Sequence, residues 1–269
     1  MTELTMNDGR TIPALGYGTY KVTGRPASAL VAQAIELGYR HVDTAAFYGN
    51  ESAVGRGIAQ AAVARSDIFV TTKLWPGDQA DPARALATSL KKLGLDYVDL
   101  YLMHWPAPAR GLYVSAWAKL AELRSAGLAK SIGVSNFLPE HLAALEPTGV
   151  VPAVNQIEIH PSYRNDTSVA ANTARGIVTE AYMPLGRAED LSDPVIAGMA
   201  DRLGVTPAQV ILAWLLAKDY VVIPKTTHPE RMRANLAAAD LTLTTADLAA
   251  MDDRPQGRKL SSDPARFNG

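Results

Sequence analysis

Residues 68–73 read Ile68-Phe69-Val70-Thr71-Thr72-Lys73, a short β-branched run of the kind that forms a strand. Residues 82–93 follow, an alanine-rich amphipathic run that opens with Pro82 directly after Asp81, as helix starts tend to. A second apolar run begins at Val98 and ends at His104. Strand, helix and strand in such close succession make one unit of a parallel sheet. The same alternation extends in both directions. Strands are predicted at 14–16, 40–43, 68–73, 98–104, 131–134, 153–157, 177–182 and 221–224. Helices are predicted at 27–37, 51–64, 82–93, 113–125, 139–145, 193–203, 207–217 and 229–235. Eight strands, each leading into a helix, favour an α/β fold of the closed (β/α)8 TIM-barrel type over an open sheet. Residues 4–12 read instead as a hairpin around Asn7-Asp8-Gly9, placed to cap the barrel bottom.

The composition fits. At 269 residues, with 48% hydrophobic and 20% charged residues, the chain can bury a barrel-sized core. No Pro/Ser-rich linker or shift in composition divides it, so residues 1–269 are expected to form a single domain. A net charge of −1 points to neither nucleic acid nor an anionic membrane. No run approaches the roughly 20 apolar residues of a membrane span. Met1-Thr2-Glu3-Leu4 lacks the basic and apolar start of a secretory signal, which makes the cytoplasm the expected compartment. The chain has no cysteine, which removes disulfides, thiolate nucleophiles and cysteine metal sites. Its five histidines show no metal-ligand spacing, and no metal is expected.

In such a barrel, chemistry belongs at the C-terminal strand ends and the loops after them. Two familiar signatures fail there. Gly55-Arg56-Gly57 lies inside a helix rather than after a strand, and Gly133-Val134-Ser135-Asn136-Phe137 lacks the last glycine of a nucleophile elbow. Glu158 and Glu180 could form the carboxylate pair of a glycoside hydrolase, although structural hydrogen bonding suits them better.

Asp43, Tyr48, Lys73 and His104 form a more specific set at the ends of strands two, three and four. Reduction of a carbonyl by hydride leaves an alkoxide that needs a proton. A tyrosine, with a pKa of about 10, becomes a better donor beside an ammonium. Asp43 would keep Lys73 charged and oriented, and a neutral His104 could hold the carbonyl oxygen. Taken singly, each has an ordinary explanation: a packed tyrosine, a solvated lysine, a capping aspartate, a core histidine. Their coincidence at three adjacent strand ends favours the chemistry.

The chain resembles the aldo-keto reductases along nearly its whole length. The matching stretches include Leu15-Gly16-Tyr17-Gly18-Thr19, His41-Val42-Asp43-Thr44-Ala45 with Tyr48-Gly49-Asn50-Glu51, and Thr71-Thr72-Lys73-Leu74-Trp75. They continue through His104-Trp105-Pro106, Asn155-Gln156-Ile157-Glu158 and Ile223-Pro224-Lys225. It is most similar to the bacterial branch with 2,5-diketo-D-gluconate reductases.

The resemblance implies NADPH as cofactor, Tyr48 as acid, Lys73 and Asp43 as its tuners and His104 as substrate orienter. Ser135, Asn136 and Gln156 match positions that hold the nicotinamide carboxamide, and Tyr182 the aromatic on which the ring stacks. Gly18, Thr19, Pro184, Leu185, Gly186, Ile223 and Asn235 match further cofactor positions. Lys225, Thr226, Thr227 and Arg231 match the 2′-phosphate pocket. The residues support that pocket independently, since Pro229 suits a first helical position and a helix N-terminus flanked by Lys and Arg attracts phosphate. Met183 and Ala234 depart from the common pattern, at positions often occupied by Ser and by an acidic residue.

Tyr20, Trp75 and Trp105 are expected to line a mostly apolar substrate mouth, with Phe47 as ordinary packing. Small aldehydes, dicarbonyls, aromatic carbonyls or a sugar-derived diketone would suit it. The placement of residues 260–269 cannot be read from the sequence. The family resemblance implies a monomer that acts on a small-molecule carbonyl and binds neither nucleic acid nor membrane. An alternative is a cofactor-binding regulatory subunit with little turnover, against which the intact Asp43, Tyr48, Lys73 and His104 set argues.

Overall fold

The computed structural model describes residues 2–24 and 26–269. The chain begins with an antiparallel hairpin of β1 (Glu3–Thr5) and β2 (Thr11–Pro13). Its turn is the Asn7-Asp8-Gly9 segment. The Gly9 amide donates to the Met6 carbonyl at 3.0 Å, and Gly9 adopts φ +83°, which glycine reaches without a Cβ clash. Met6 and Ile12 point inward from this hairpin and pack with Leu100, Leu102, Val154 and Val221. The hairpin therefore plugs the bottom of the structure, as expected.

The remaining strands lie in one parallel sheet in chain order. They are β3 (Tyr17–Gly18), β4 (His41–Asp43), β5 (Phe69–Leu74) and β6 (Val98–Met103), then β7 (Ala129–Ser135), β8 (Val154–Glu158), β9 (Val178–Tyr182) and β10 (Val221–Val222). A parallel bridge between Leu15 and Val222 joins the last strand to the first. The Gly16 amide donates to Val222 O, and the Val222 amide to Ala14 O, both at 2.8 Å. This seam closes the sheet into the (β/α)8 barrel. Two glycines permit the approach: a Cβ on Gly16 would lie 3.0 Å from Ile223 Cγ2 and 2.7 Å from His41 Nδ1 on β4, and one on Gly18 would lie 2.8 Å from the Ile223 carbonyl oxygen. The first strand was expected at 14–16. Regular pairing instead falls on Tyr17–Gly18, because residues 14–16 are spent on the seam.

The helices pack outside. They are α1 (Ala27–Leu37), α2 (Glu51–Gln60), α3 (Pro82–Leu93), α4 (Tyr113–Ser125) and α5 (Pro139–Leu145), then α6 (Asp166–Thr173), α7 (Pro194–Leu203), α8 (Pro207–Leu216), α9 (Pro229–Ala237) and α10 (Thr245–Asp252). Helix α2 stops at Gln60 rather than 64, where Ala61 turns extended at φ −72°, ψ 139°. Helices α6 and α10 have no counterpart in the sequence reading, and α6 shows why. Its buried positions are Ser168 and Asn172. Asn172 accepts from Asn155 Nδ2 at 2.9 Å and donates to Thr179 Oγ1 at 3.0 Å. A helix docked through amides and hydroxyls leaves no apolar periodicity to read. No single helix among the described residues is long and apolar enough to cross a membrane.

The seam yields a prediction. Gly18→Ala should force the Ile223 carbonyl away from β3, at a cost of about 1–3 kcal/mol from overpacking. Thermal denaturation should show a Tm lower by several degrees, and an unchanged Tm would contradict the tight closure.

Candidate functional site

Strand β4 delivers Asp43 and β5 delivers Lys73 to the interior at the C-terminal end of the barrel, where both are buried. Lys73 Nζ lies 2.6 and 2.7 Å from the two Asp43 oxygens and donates to Thr44 O at 2.9 Å. It also reaches the Tyr48 hydroxyl at 3.2 Å. Gln156 Nε2 donates to Asp43 Oδ2 at 2.8 Å. An ammonium with 0% exposure is tolerable only when acceptors surround it, and here they do. The alternatives of a solvated lysine and a capping aspartate are thereby removed.

Tyr48 sits in the short helical turn Ala46–Tyr48 after β4, and His104 directly follows β6. Their rings meet edge to face, with centroids 5.8 Å apart. Burial, and then the Lys73 charge, hold the His104 imidazole well below 6.5, so the ring is neutral at pH 7. The sequence reading expected Lys73 to make Tyr48 more acidic. Instead, burial and then the negative charge of Asp43 push the phenol well above 10. Burial is the larger cause, and Asp43, closer to Lys73 than the phenol is, takes up much of the ammonium charge that would draw the phenol down.

Asp43, Tyr48 and His104 line a cavity of about 410 Å³, with Lys73 behind them. Tyr20, Trp75 and Trp105 line it, as expected. Phe47 also lines it, contrary to the packing role expected of it. Its ring stacks on Trp75 at 3.9 Å and 11°, and the residue is 53% exposed. Phe267 from the C-terminal tail adds a further wall, 4.4 Å from Trp105 and 5.8 Å from Trp75, centroid to centroid.

The tail is fixed at the mouth by Glu158, which is fully buried. Its carboxylate accepts from the Leu260 and Ser261 amides at 2.5 and 2.8 Å and from Lys259 Nζ at 3.2 Å. His160 lies 3.3 Å from the same carboxylate and 3.0 Å from Asp190 on the loop after β9. Burial opposes a charge on Glu158, yet His160, Lys259, Ser261 and Leu260 together hold it well below the usual carboxylate range. Burial likewise opposes a charge on His160, but Asp190 and Glu158 raise the ring to about 8. Glu158 is thus a tail anchor, with no free oxygen for the acid role of a hydrolase. Glu180 was expected to make structural hydrogen bonds. Neither of its oxygens has a hydrogen-bond partner among the described residues.

Ser135, Asn136, Gln156 and Tyr182 line the same cavity, already joined to one another. Ser135 donates to Gln156 O at 2.9 Å, Asn136 Nδ2 to Ser135 Oγ at 3.1 Å, and Tyr182 OH to Asn136 Oδ1 at 2.6 Å. Gly18 and Ile223 are at its edge. A second cavity, of about 590 Å³, adjoins the first through Met183, Pro184, Arg187 and Lys225. Leu185, Thr226, Arg231 and Asn235 line it, close to the start of α9. Three cations face this space (Arg187, Lys225 and Arg231), and its lining contains no carboxylate among the described residues.

Thr19, Gly186 and Thr227 line neither cavity. Thr19 is buried with its hydroxyl on Asp43 O at 2.8 Å, Gly186 packs on Asp190, and Thr227 is exposed. Sequence reasoning missed Arg187, Ser261, Ser262 and Phe267 as lining residues. Arg187 adopts φ +54°, one of four left-handed residues between Met183 and Ala188, and this irregular path is invisible to pattern reading. Its Nη2 donates to Leu260 O at 3.0 Å.

The model of the aldo/keto reductase family matches residues 14–254. An aldo-keto reductase of Mycolicibacterium smegmatis is 45% identical over 268 residues, 98% of either chain. The methylglyoxal reductase DkgA of Salmonella typhimurium is 44% identical over 271 residues, 100% of this chain and 98% of its own. Among solved structures, a mutant of Gox0644 in complex with NADPH superposes with a TM-score of 0.94 at 39% identity, covering 98% of this chain and 97% of that one. An aldo-keto reductase of Bombyx mori in complex with NADP has a TM-score of 0.90 at 34% identity, with coverages of 97% and 95%.

The link between tail and loop should respond to pH. His160 binds its proton more tightly folded, at about 8, than at its ordinary 6.5. Its stabilising contribution is therefore complete below pH 6.5 and lost as pH rises through about 8. Between pH 6.5 and 8.5, Tm should fall more steeply in the parent than in His160→Gln. Parallel curves would contradict the charged bridge.

Proposed function

Because this chain belongs to the aldo/keto reductase family, we propose that it is an NADPH-dependent oxidoreductase reducing aldehydes, ketones or dicarbonyls to alcohols. The observation that carries the reading is Lys73, bound to Asp43 and 3.2 Å from the Tyr48 hydroxyl at the floor of an aromatic cavity. A dinucleotide with a 2′-phosphate needs cations and hydrogen-bond donors, and the second cavity offers Lys225, Arg231 and Asn235 with no opposing carboxylate among the described residues. Those residues would hold the phosphate end. Ser135, Asn136, Gln156 and Tyr182 would receive the nicotinamide end, next to Tyr48. Bound there, NADPH supplies the hydride.

The chain's own residues supply the rest. Tyr48 gives its proton to the substrate oxygen as negative charge develops there, and its O–H bond breaks as the new one forms. The phenolate left behind faces the Lys73 ammonium, which stabilises it. A phenol that is a poor acid in the resting site gives up its proton only to an oxygen becoming an alkoxide, which keeps it protonated until then. His104, neutral at pH 7, donates a hydrogen bond to the carbonyl oxygen and sets its approach. Asp43 fixes Lys73 in place.

Tyr20, Phe47, Trp75, Trp105 and Phe267 exclude water and select small or flat carbonyl compounds. The DkgA relative is named for methylglyoxal, a small dicarbonyl that this aromatic mouth would admit. The proposed enzyme is a monomer, as the family resemblance implies, in a cytoplasmic setting that would supply the reduced cofactor.

Tyr48→Phe should lower kcat about 10²–10⁴-fold against methylglyoxal and a panel of aldehydes and diketones, measured as NADPH consumption. NADPH binding without turnover by the parent on any of them would favour a regulatory subunit instead. Arg231→Ala should raise the KM for NADPH about tenfold or more while changing that for NADH little, because a charge-assisted bond to the 2′-phosphate is lost. Equal affinity of the parent for both cofactors would overturn that assignment.

A further inference from the structure

Beneath Asp43 and Lys73 the barrel interior holds a second carboxyl, that of Glu180 on β9. It is fully buried, and neither oxygen has a hydrogen-bond partner among the described residues. The nearby donors are committed elsewhere. Lys73 serves both Asp43 oxygens and Thr44 O, and the Gln156 amide serves Asp43 Oδ2 at 2.8 Å. The nearest Glu180 oxygen is 3.8 Å from His41 Nε2, which lies 3.1 Å from Thr71 Oγ1. Below this layer the interior is closed by Met6, Ile12, Leu102, Val154 and Val221. Two carboxyls therefore share one enclosed space: the ion pair and the 2.8 Å amide bond fall on Asp43, while Glu180 feels the pull of Gln156 and Lys73 without a hydrogen bond from either. Where donors are divided so unequally, one carboxyl is ionised and the other keeps its proton.

We propose that Glu180 is a positioning residue for carbonyl reduction: a carboxyl held neutral under the Asp43–Lys73 pair, which leaves Asp43 as the anion facing Lys73 and so allows Tyr48 to become phenolate. It rests on the reductase reading above and names a group outside that set. Glu180 neither gives nor takes a proton in turnover; the proton passes from Tyr48 to the substrate oxygen. Its part is electrostatic. Once ionised, it would place a second negative charge below Asp43 and oppose the phenolate that Tyr48 must form.

The groups facing Glu180 pull in both directions, and those that favour its proton prevail. Burial, then the charge of Asp43, outweigh the opposite pull of Gln156 and Lys73 and carry its carboxyl up to about 8. Glu180 adds in turn to the effects that raise Tyr48. His41 offers no compensating charge, because burial and then Lys73 hold its ring down at about 3. Tyr48 itself, held well above 10, stays protonated through pH 9.

The test compares the parent with Glu180→Gln, which keeps the shape and cannot ionise. The first measurement is kcat/KM for a carbonyl at saturating NADPH from pH 6 to 9.5. In the parent it should fall up to about tenfold between pH 7 and 9, following the fraction of neutral Glu180. The pH 9 to pH 7 ratio should return most of the way to one in Glu180→Gln. The second measurement needs no turnover: an infrared difference spectrum of the parent between pH 7 and 9.5 should show loss of a carboxylic-acid C=O band. That band should be missing in Glu180→Gln. The proposal is overturned if the parent shows no such band, or if the variant keeps the whole alkaline decline. A parent that turns over no carbonyl defeats the reductase reading separately, while the band still reports on Glu180.

Discussion

An ammonium sealed from water inside a barrel sets the conditions for everything around it. Lys73 stays charged in that position only by holding both oxygens of Asp43 within 2.7 Å and a backbone carbonyl at 2.9 Å. These contacts leave one direction open, toward the Tyr48 hydroxyl. The same pair draws the Gln156 amide to Asp43, and its positive end adds to the burial that keeps the His104 ring neutral. After burial itself, the charges of this one ion pair are the next influence on the protonation of a phenol, an imidazole and a second carboxyl.

The scaffold makes the pair possible by grading its interior along the barrel axis. The bottom is apolar, filled by Met6 and Ile12 of the hairpin and by inward residues of β6, β8 and β10. Hydroxyl, imidazole and carboxyl groups follow in the middle, with Thr71, His41 and Glu180, and the ion pair lies at the top. The packed bottom seals the interior from below, and the mouth lies above. The glycine seam at residues 16 and 18 lets β3 close against β10, and the Gly18–Asp43 pairing in β3 and β4 carries that closure to the site.

A second electrostatic centre organises the mouth. Glu158, the His160 ring and Asp190 form a buried line from the tail to the loop after β9. Both joined segments wall the cavities: the tail contributes Ser261 and Phe267, and the loop contributes Met183, Pro184 and Arg187. The shape of the mouth therefore depends on charges that touch no reacting atom.

Much of this was legible in the chain. Alternating β-branched and amphipathic runs specified eight strands and most helices, because each element buries one face and its period shows in the residues. Helices α1, α3, α4 and α5 begin and end where proline starts and apolar spacing place them. Asp43, Tyr48, Lys73 and His104 could be singled out because a strand-end position and a chemical type are local properties. What depended on distance was not legible. Helix α6 docks through Asn172, the first strand gave up residues 14–16 to a seam more than 200 residues away, and Tyr48 is less acidic than its lysine neighbour suggested. The sequence by itself determined the barrel and the identity of its reactive groups. Only the tertiary structure decided that a second buried carboxyl, Glu180, is left without a hydrogen-bond partner among the described residues, and where the tail lies, because both follow from how donors and charges are shared in a closed space.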